Sequence, residues 1–478
     1  MALTLYWHDY ETWGTDPGRD RPAQFAGVRS DENLNVIGKP LSLYCFPPDD
    51  MLPQPEACMV TGITPQQARA AGVIEADFFR LIHEQLAVPG SCGVGYNSIR
   101  FDDEVTRFGL YRNFFDPYAR EWQHGNSRWD ILDMVRLAHA LRPEGIEWPC
   151  HADGTPSFQL EQLTRANAIS HAGAHDALAD VYATLELARL IKLRQPKLFD
   201  YLFQMRDKRQ VAKLLNLRSM QPVLHVSSMY PANRGCIAMV VPVAGHPLNG
   251  NGIIVYDLSF DPEPLLRLST GEISKRLFTP RSELPEGVER IPLKTIHLNK
   301  CPVVVPMNTL TDQAAERWGI DLATGEKYLQ RLKHADGLQQ KIQQVHEDRV
   351  YEPASNPDLN LYGGGFFSAD DRQKMDLIRE MPPRALGSVN FHWEDPRIPV
   401  MLFRYRARNW PDTLSENERR CWDEFRNDRI RNPEGGASIT LEEYRRRLAR
   451  MIVDPSVDDR GRAILSQLAD WPAEIGIK

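Results

Sequence analysis

The sequence predicts an N-terminal α/β domain built on a mixed sheet, then a β-rich segment, then a helical C-terminal segment. Three observations predict this. Short apolar strands crowd the first 97 residues and helical patterns follow them to residue 192. Strands return after residue 220, separated by Pro and Gly turns. From residue 351 onward the pattern is mostly helical and rich in Arg, Glu and Trp. A chain of 478 residues is too long for one compact core, and about 150 residues per domain gives two to four domains.

The candidate strands are "LTLYWHDYE" (3–11), "FAGVRSD" (25–31), "LSLYCF" (41–46) and "SCGVGYN" (91–97). The first three follow one another closely, as antiparallel hairpins do. Helical patterns come next at 75–86, 101–108, 131–140, 159–166 and 177–192. Hairpins followed by α/β crossovers imply a mixed sheet with helices on its faces, the architecture of a ribonuclease H-like domain. Near residue 195 "RQPKLFDYLFQMRDKRQVAKLL" reads as a connecting helical segment. After it "PVLHVSS", "CIAMVVPVA", "GIIVYDL" and "KTIHLNKCPVVVP" read as strands of a small β-rich domain, with a helical stretch at 311–346 attached. The triple glycine at 363–365 marks a loop ahead of the last helices. The expected domains are therefore 1–195, 196–350 and 351–478.

Composition excludes several classes. The longest apolar stretch, "CIAMVVPVAG" at 236–245, is broken by Pro242 and falls well short of the roughly 20 residues of a membrane span. No basic region followed by an apolar one opens the chain, so no signal peptide is read and a cytoplasmic protein is expected. Seven cysteines without a C-x-x-C pair argue against a zinc ribbon and against a disulfide framework. The net charge of −7, from 57 basic and 64 acidic residues, is not that of a non-specific nucleic-acid binder, so any polyanion must be held in a local groove.

The chemistry lies in three acidic clusters. Asp9 and Glu11 end the first strand on one face, about 7 Å apart along the chain, and repel unless something positive sits between them. Alone, the pair reads equally as a strand running out into solvent. "YNSIRFDDE" (96–104) leads a strand into a helix that begins with Asp102, Asp103 and Glu104, where the helix dipole favours acids. "SHAGAHDALADVYATLELARLI" places Asp176 as the N-cap of a third element, with Asp180 one turn later and His175 just before it. Together Asp9, Glu11, Asp102 and Asp180 supply only oxygen donors, which suits Mg²⁺ or Mn²⁺ and suits zinc poorly. His175 is left as the group able to exchange a proton near neutral pH. A zinc site on His171 and His175 is disfavoured, because Gly173 lies between them, no glutamate follows the first histidine and no cysteine is near.

These motifs, with "TGITP" at 61–65, resemble those of the DEDDh 3′-to-5′ exonucleases. "GYNSIRFDDEVTRFGLYRNFFDPYAREWQHGNSRWDILDMVR", "AHDALADVYAT", "HLNKCPV", "LYGGGFFSADDR" and "YRARNWPDTL" carry the likeness further, to the bacterial exodeoxyribonuclease I family, across essentially the whole chain. The resemblance implies an α/β ribonuclease H-like exonuclease domain, an SH3-like β-rich domain and a helical C-terminal domain. It implies stepwise hydrolysis of single-stranded DNA from the 3′ end, releasing 5′-mononucleotides, in recombination and repair. Catalysis would use two Mg²⁺ ions, or Mn²⁺, held by Asp9, Glu11, Asp102 and Asp180, with His175 as general base. Arg404, Tyr405, Arg406, Arg408 and Trp410 mix cations and aromatic rings as a single-strand track does, so they are the expected DNA contacts. The resemblance also implies a monomer and a pocket for the acidic, Phe-ended tail of single-stranded-DNA-binding protein. Arg142, Tyr201 and Arg317 fall at its positions, whereas Gln221 and Gln339 are neutral where basic residues are expected. An RNA-directed relative such as an oligoribonuclease would leave about 280 residues here without a purpose.

Overall fold

In the computed structural model, which describes residues 3–171, 173, 175–347 and 354–477, strand β1 (Thr4–Thr12) is the middle of a five-stranded sheet. Its Leu5, Tyr6, Trp7 and His8 are all buried, as expected of a strand covered on both faces. β2 (Pro22–Ser30) pairs with it antiparallel, and β3 (Val36–Tyr44) pairs with β2 antiparallel. β4 (Ser91–Gly95) lies parallel to β1 on the other side, and β5 (Ser127–Asp130) completes the order β3-β2-β1-β4-β5. The hairpins and crossover expected from element order are the observed ones. β5 was not anticipated, because four residues of which two, Arg128 and Asp130, are charged carry no apolar period.

The helices of this part are α1 (Pro55–Thr61), α2 (Pro65–Ala71), α3 (Glu75–Leu86), α4 (Asp102–Arg112), α5 (Leu132–Leu141), α6 (Leu160–Ala166) and α7 (Ala177–Arg194). The "TGITP" segment is the joint between α1 and α2. Gly62, at φ 72°, ends α1 in the left-handed conformation, Thr64 accepts the amide of Gln67, and Pro65 takes the first helical position. At seven residues each, both helices are too short to show a hydrophobic period, so their signal is the caps alone.

A second, antiparallel five-stranded sheet comprises β6 (Val223–Val226), β7 (Ile237–Gly245), β8 (Gly252–Asp257), β9 (Leu293–His297) and β10 (Val303–Pro306), in the order β10-β6-β7-β8-β9. The run expected as one strand, "KTIHLNKCPVVVP", is thus two strands that end at opposite edges of the sheet. Helices at Glu263–Arg267 and Thr270–Phe278 were not expected. The second announces itself with a capping box in which Ser269 and Glu272 each bond the other's backbone amide.

The chain folds as two compact units that do not follow the order of the sequence. One contains Met1–Ser127, His171–Leu185 and Tyr351–Lys478, and the other Arg128–Ser170 and Glu186–Val350. Within the first, apolar residues of the N-terminal domain such as Trp13, Leu52 and Ile63 share a core with Ile430, Tyr444, Leu468 and Trp471 of the C-terminal helices.

Helix Arg397–Asn409, which carries most of "RYRARNW", corrects one expectation. Arg408 donates to Asp50 at 2.7 Å and to Asp358 at 2.6 Å, Arg404 lies 3.3 Å from Asp358, and Arg406 donates to Glu418 at 2.5 Å. Tyr405 is buried edge-on against Phe114 and Trp410. Arg404, Tyr405, Arg406, Arg408 and Trp410 are therefore internal packing and ion-pairing groups rather than a DNA track. The letters of the two roles are the same, and what separates them is the arrival of acids from residues far away in sequence.

Arg21 and Arg112 extend the network by pairing with buried Glu75 at 3.0 and 3.1 Å. Burial alone would raise the Asp50 and Asp358 carboxyls, but the arginines, Arg408 foremost, outweigh it and hold both below the ordinary carboxylate range. A folded pKa below the unfolded one contributes stability that is present above about pH 4 and is lost as pH falls further. Urea melts should accordingly lose stability steeply below pH 4. Arg408→Ala, which leaves two buried carboxylates short of their main partner, should cost about 3–5 kcal/mol at pH 7.

Candidate metal centre

Asp9 and Glu11 stand on the half-buried face of β1, while Tyr10 between them points into the core against Phe25 at 4.8 Å. The alternation of the strand does this, and the buried tyrosine fixes which face the acids take. Thr106 of α4 donates to the Tyr10 hydroxyl at 2.9 Å, and the Tyr10 amide donates to Asp102 at 3.1 Å. The first residue of α4 is thereby brought to the acidic face. Asp176 accepts the amide of Leu178, the cap expected for α7. The amide of Ala177 donates to Gln24, the β2 residue opposite Glu11, and this seats the start of α7 beside the strand end.

The result is a cluster in which one carboxylate oxygen from each of Asp9, Glu11 and Asp180 lies within 4.8 Å of the others. Burial pushes the Asp9 carboxyl well above its usual value, and the charges of Asp102, Glu11 and Asp180 add to this. Burial, then Asp180 and Asp102, raises Glu11 to about 8. Asp180 is raised as well, chiefly by burial. Four acids that each oppose the ionisation of the next make a site that a divalent cation relieves, and an all-oxygen donor set suits a hard ion.

The two histidines meet Asp180 in different ways. His171 Nε2 meets Asp180 Oδ1 directly. His175 is exposed, sits in the left-handed region at φ 68°, and donates its backbone N–H to Asp180. His171 and Asp180 are nine residues apart, a separation that no helical spacing brings into contact. Asp103, next to Asp102, faces away from the cluster and pairs with Arg120 at 2.7 Å, both side chains almost fully buried.

Sequence reasoning missed an aromatic surface in the same unit. A cavity of about 510 Å³ is lined by Tyr118, Trp122, Phe366, Phe367, Arg372 and other groups. Trp122 is 65% exposed and Phe366 84% exposed. The only signal for it was "GGGFF", a glycine loop that ends in two aromatic residues.

In the other unit, the three pocket residues named from the resemblance converge around the end of α5. Arg142 donates to the carbonyl of Thr309 at 3.2 Å, and Arg317 lies 3.4 Å from His139. Tyr201 donates to the carbonyl of Val304 at 3.1 Å, on the neighbouring strand β10.

Three family models match the chain in succession: Exonuclease over residues 6–188, the Exonuclease I SH3-like domain over 206–348 and the Exonuclease I C-terminal domain over 355–475. Exodeoxyribonuclease I of Escherichia coli K12 is 47% identical over 474 residues, covering 99% of this chain and 98% of its own. The chain belongs to the exodeoxyribonuclease I family. Among solved structures, a moderately thermophilic Exonuclease I from Methylocaldum szegediense matches at 52% identity with a TM-score of 0.96, each chain wholly covered. E. coli Exonuclease I in complex with a dA16 oligonucleotide matches at 46% identity with a TM-score of 0.94, covering 99% of this chain and 100% of the other. The ribonuclease H-like exonuclease domain, SH3-like domain and C-terminal domain expected for this family are thus present in that order.

Proposed function

We propose that the chain hydrolyses single-stranded DNA from its 3′ end and releases 5′-mononucleotides, in recombination and repair. The observation that carries this is the cluster of Asp9, Glu11 and Asp180 at the end of a central strand, with Asp102 beside it. Bound divalent cations, Mg²⁺ in the first instance and two in number, supply charge neutralisation and Lewis acidity for in-line displacement at phosphorus. Asp9, central among the acids, would hold them together with Glu11, Asp102 and Asp180. A ring nitrogen of the exposed His175 takes the proton of the attacking water. The P–O3′ bond breaks, so the shortened strand keeps a 3′ hydroxyl and the released nucleotide keeps the phosphate. His171, on Asp180, orients that carboxylate.

Single strands are held by aromatic faces and cations, and Trp122 and Phe366 take the role that "RYRARNW" does not fill. Trp122→Ala and Phe366→Ala should each weaken binding of an oligonucleotide by about 1–3 kcal/mol, with kcat little changed. Fluorescence anisotropy and steady-state rates check this. Unchanged affinity in both variants would remove the aromatic surface from the reading.

The division at 1–195, 196–350 and 351–478 goes with this function, each cut falling between two matched segments. The convergence of Arg142, Tyr201 and Arg317 supports a pocket for the acidic tail of single-stranded-DNA-binding protein, weakened by the neutral Gln221 and Gln339. No helix among the described residues is long and apolar enough to cross a membrane. A monomer in the cytoplasm is part of the same proposal.

The test of the whole reading is a time course on 5′-labelled DNA, single-stranded and duplex, with Mg²⁺ or with EDTA. Metal-dependent shortening of the single strand from its 3′ end supports it. Equal attack on duplex or on RNA would overturn the substrate assignment while sparing the metal centre.

A further inference from the structure

Helix α4 opens with three consecutive acids and has no side-chain cap on its Phe101 N-cap. Three carboxylates in one turn repel one another, and the helix dipole returns only about 0.3–1 kcal/mol for each. Each of them is directed to a different partner. Asp102 accepts the Tyr10 amide at 3.1 Å beside the metal centre, and Asp103 is paired with Arg120 at 2.7 Å. Glu104 accepts from Arg107 at 2.9 Å and from the hydroxyl of Tyr362.

Arg107 is the hub of this last group. It donates through Nε and Nη2 to the two oxygens of Glu121, at 2.7 Å each, and through Nη1 to the Tyr362 hydroxyl at 3.1 Å. A bidentate guanidinium–carboxylate pair of this kind fixes direction as well as distance. The Tyr362 ring stands at 90° to Phe108, with centroids 5.9 Å apart. So a tyrosine from the C-terminal domain grips the same helix by its first turn and by its flank. That tyrosine belongs to the "LYGGGFF" loop, which also presents Phe366 to solvent.

We propose that Tyr362 is a positioning residue for the metal centre: with Arg107 and Glu121 it holds Glu104 and the first turn of α4, and through that turn the Asp102 carboxylate. The proposal rests on Asp102 being an ion ligand, as read above. Removing the outer partners of metal ligands typically costs 10- to 100-fold in metal affinity or activity, and a displacement of about 1 Å at a reacting centre costs about 10²-fold. Tyr362→Phe is the discriminating change, since it keeps the ring on Phe108 and removes only the hydroxyl that bonds Glu104 and Arg107.

The experiment is calorimetric titration of Mn²⁺ into the full chain without DNA, for wild type, Tyr362→Phe, Glu104→Gln and the double variant, alongside kcat and KM on an oligonucleotide. Thermal melting checks that each is folded, and Glu104→Gln carries the test if Tyr362→Phe does not fold. We expect each single variant to bind Mn²⁺ about 10-fold more weakly and to lose kcat with KM unchanged, and the double variant to be no worse than the weaker single. Wild-type Mn²⁺ affinity in Tyr362→Phe would overturn the proposal. A rise in KM alone would do so too, since it would make Tyr362 a strand contact, and multiplying effects would show that Tyr362 and Glu104 act separately. A wild-type chain that binds no Mn²⁺ would remove the metal-centre reading together with this one.

Discussion

Asp9→Ala should abolish nucleolytic activity on single-stranded DNA, lowering kcat by about 10⁴-fold or more, the equivalent of roughly 5 kcal/mol of transition-state stabilisation. The size follows from position. The Asp9 carboxyl is raised by burial and then by Asp102, Glu11 and Asp180 in turn. Removing it takes away the oxygen that faces all the others. The metal-free variant should nevertheless fold at least as well as wild type, because one of four mutually repelling carboxylates is gone. Mg²⁺ should raise the melting temperature of the wild type and leave that of the variant nearly unchanged. Loss of activity with the Mg²⁺-induced shift retained would place the ion elsewhere, and a variant as active as wild type would end the assignment.

His175→Ala should have the second largest effect, a fall in kcat of roughly 10²- to 10⁴-fold with metal affinity retained, as loss of a general base predicts. The comparison that gives this meaning is His171→Ala. His171 touches Asp180, and His175 is exposed next to the cluster in a backbone conformation uncommon for a residue other than glycine. If His175 is the base, His171→Ala should lower metal affinity more than it lowers the rate at saturating Mg²⁺. Calorimetric metal titration and kcat at saturating Mg²⁺ check this, and the reverse result, with metal affinity lost in His175→Ala and rate lost in His171→Ala, would exchange the two roles.

The acidic centre was legible in the sequence because each part of it is local. A strand that alternates acid, tyrosine, acid displays both acids on one face, and two helix starts are readable from the acids that the helix dipole favours there, with Asp176 as the cap of α7. Helix α3 was placed at its observed ends because its amphipathic run carries its own period, and α4 and α7 began within one residue of theirs because acids mark each start. What local signals could not carry was which charges meet. "RYRARNW" reads as a basic aromatic track, yet Arg408 is neutralised by Asp50, 358 residues earlier in the chain. Trp122 and Phe366 belong to segments read for other reasons, and their exposure on one cavity is a product of folding.

The sequence by itself determined the order of most elements and singled out Asp9, Glu11 and Asp180, which the fold brings together, because strand alternation and helix capping act within a few residues. Only the tertiary structure decided that His171 meets Asp180, that the arginines of the C-terminal helix are buried counter-ions, and that Tyr362 grips α4. Those depend on long-range contacts, in which a side chain's role is set by the charge and burial that distant segments bring to it.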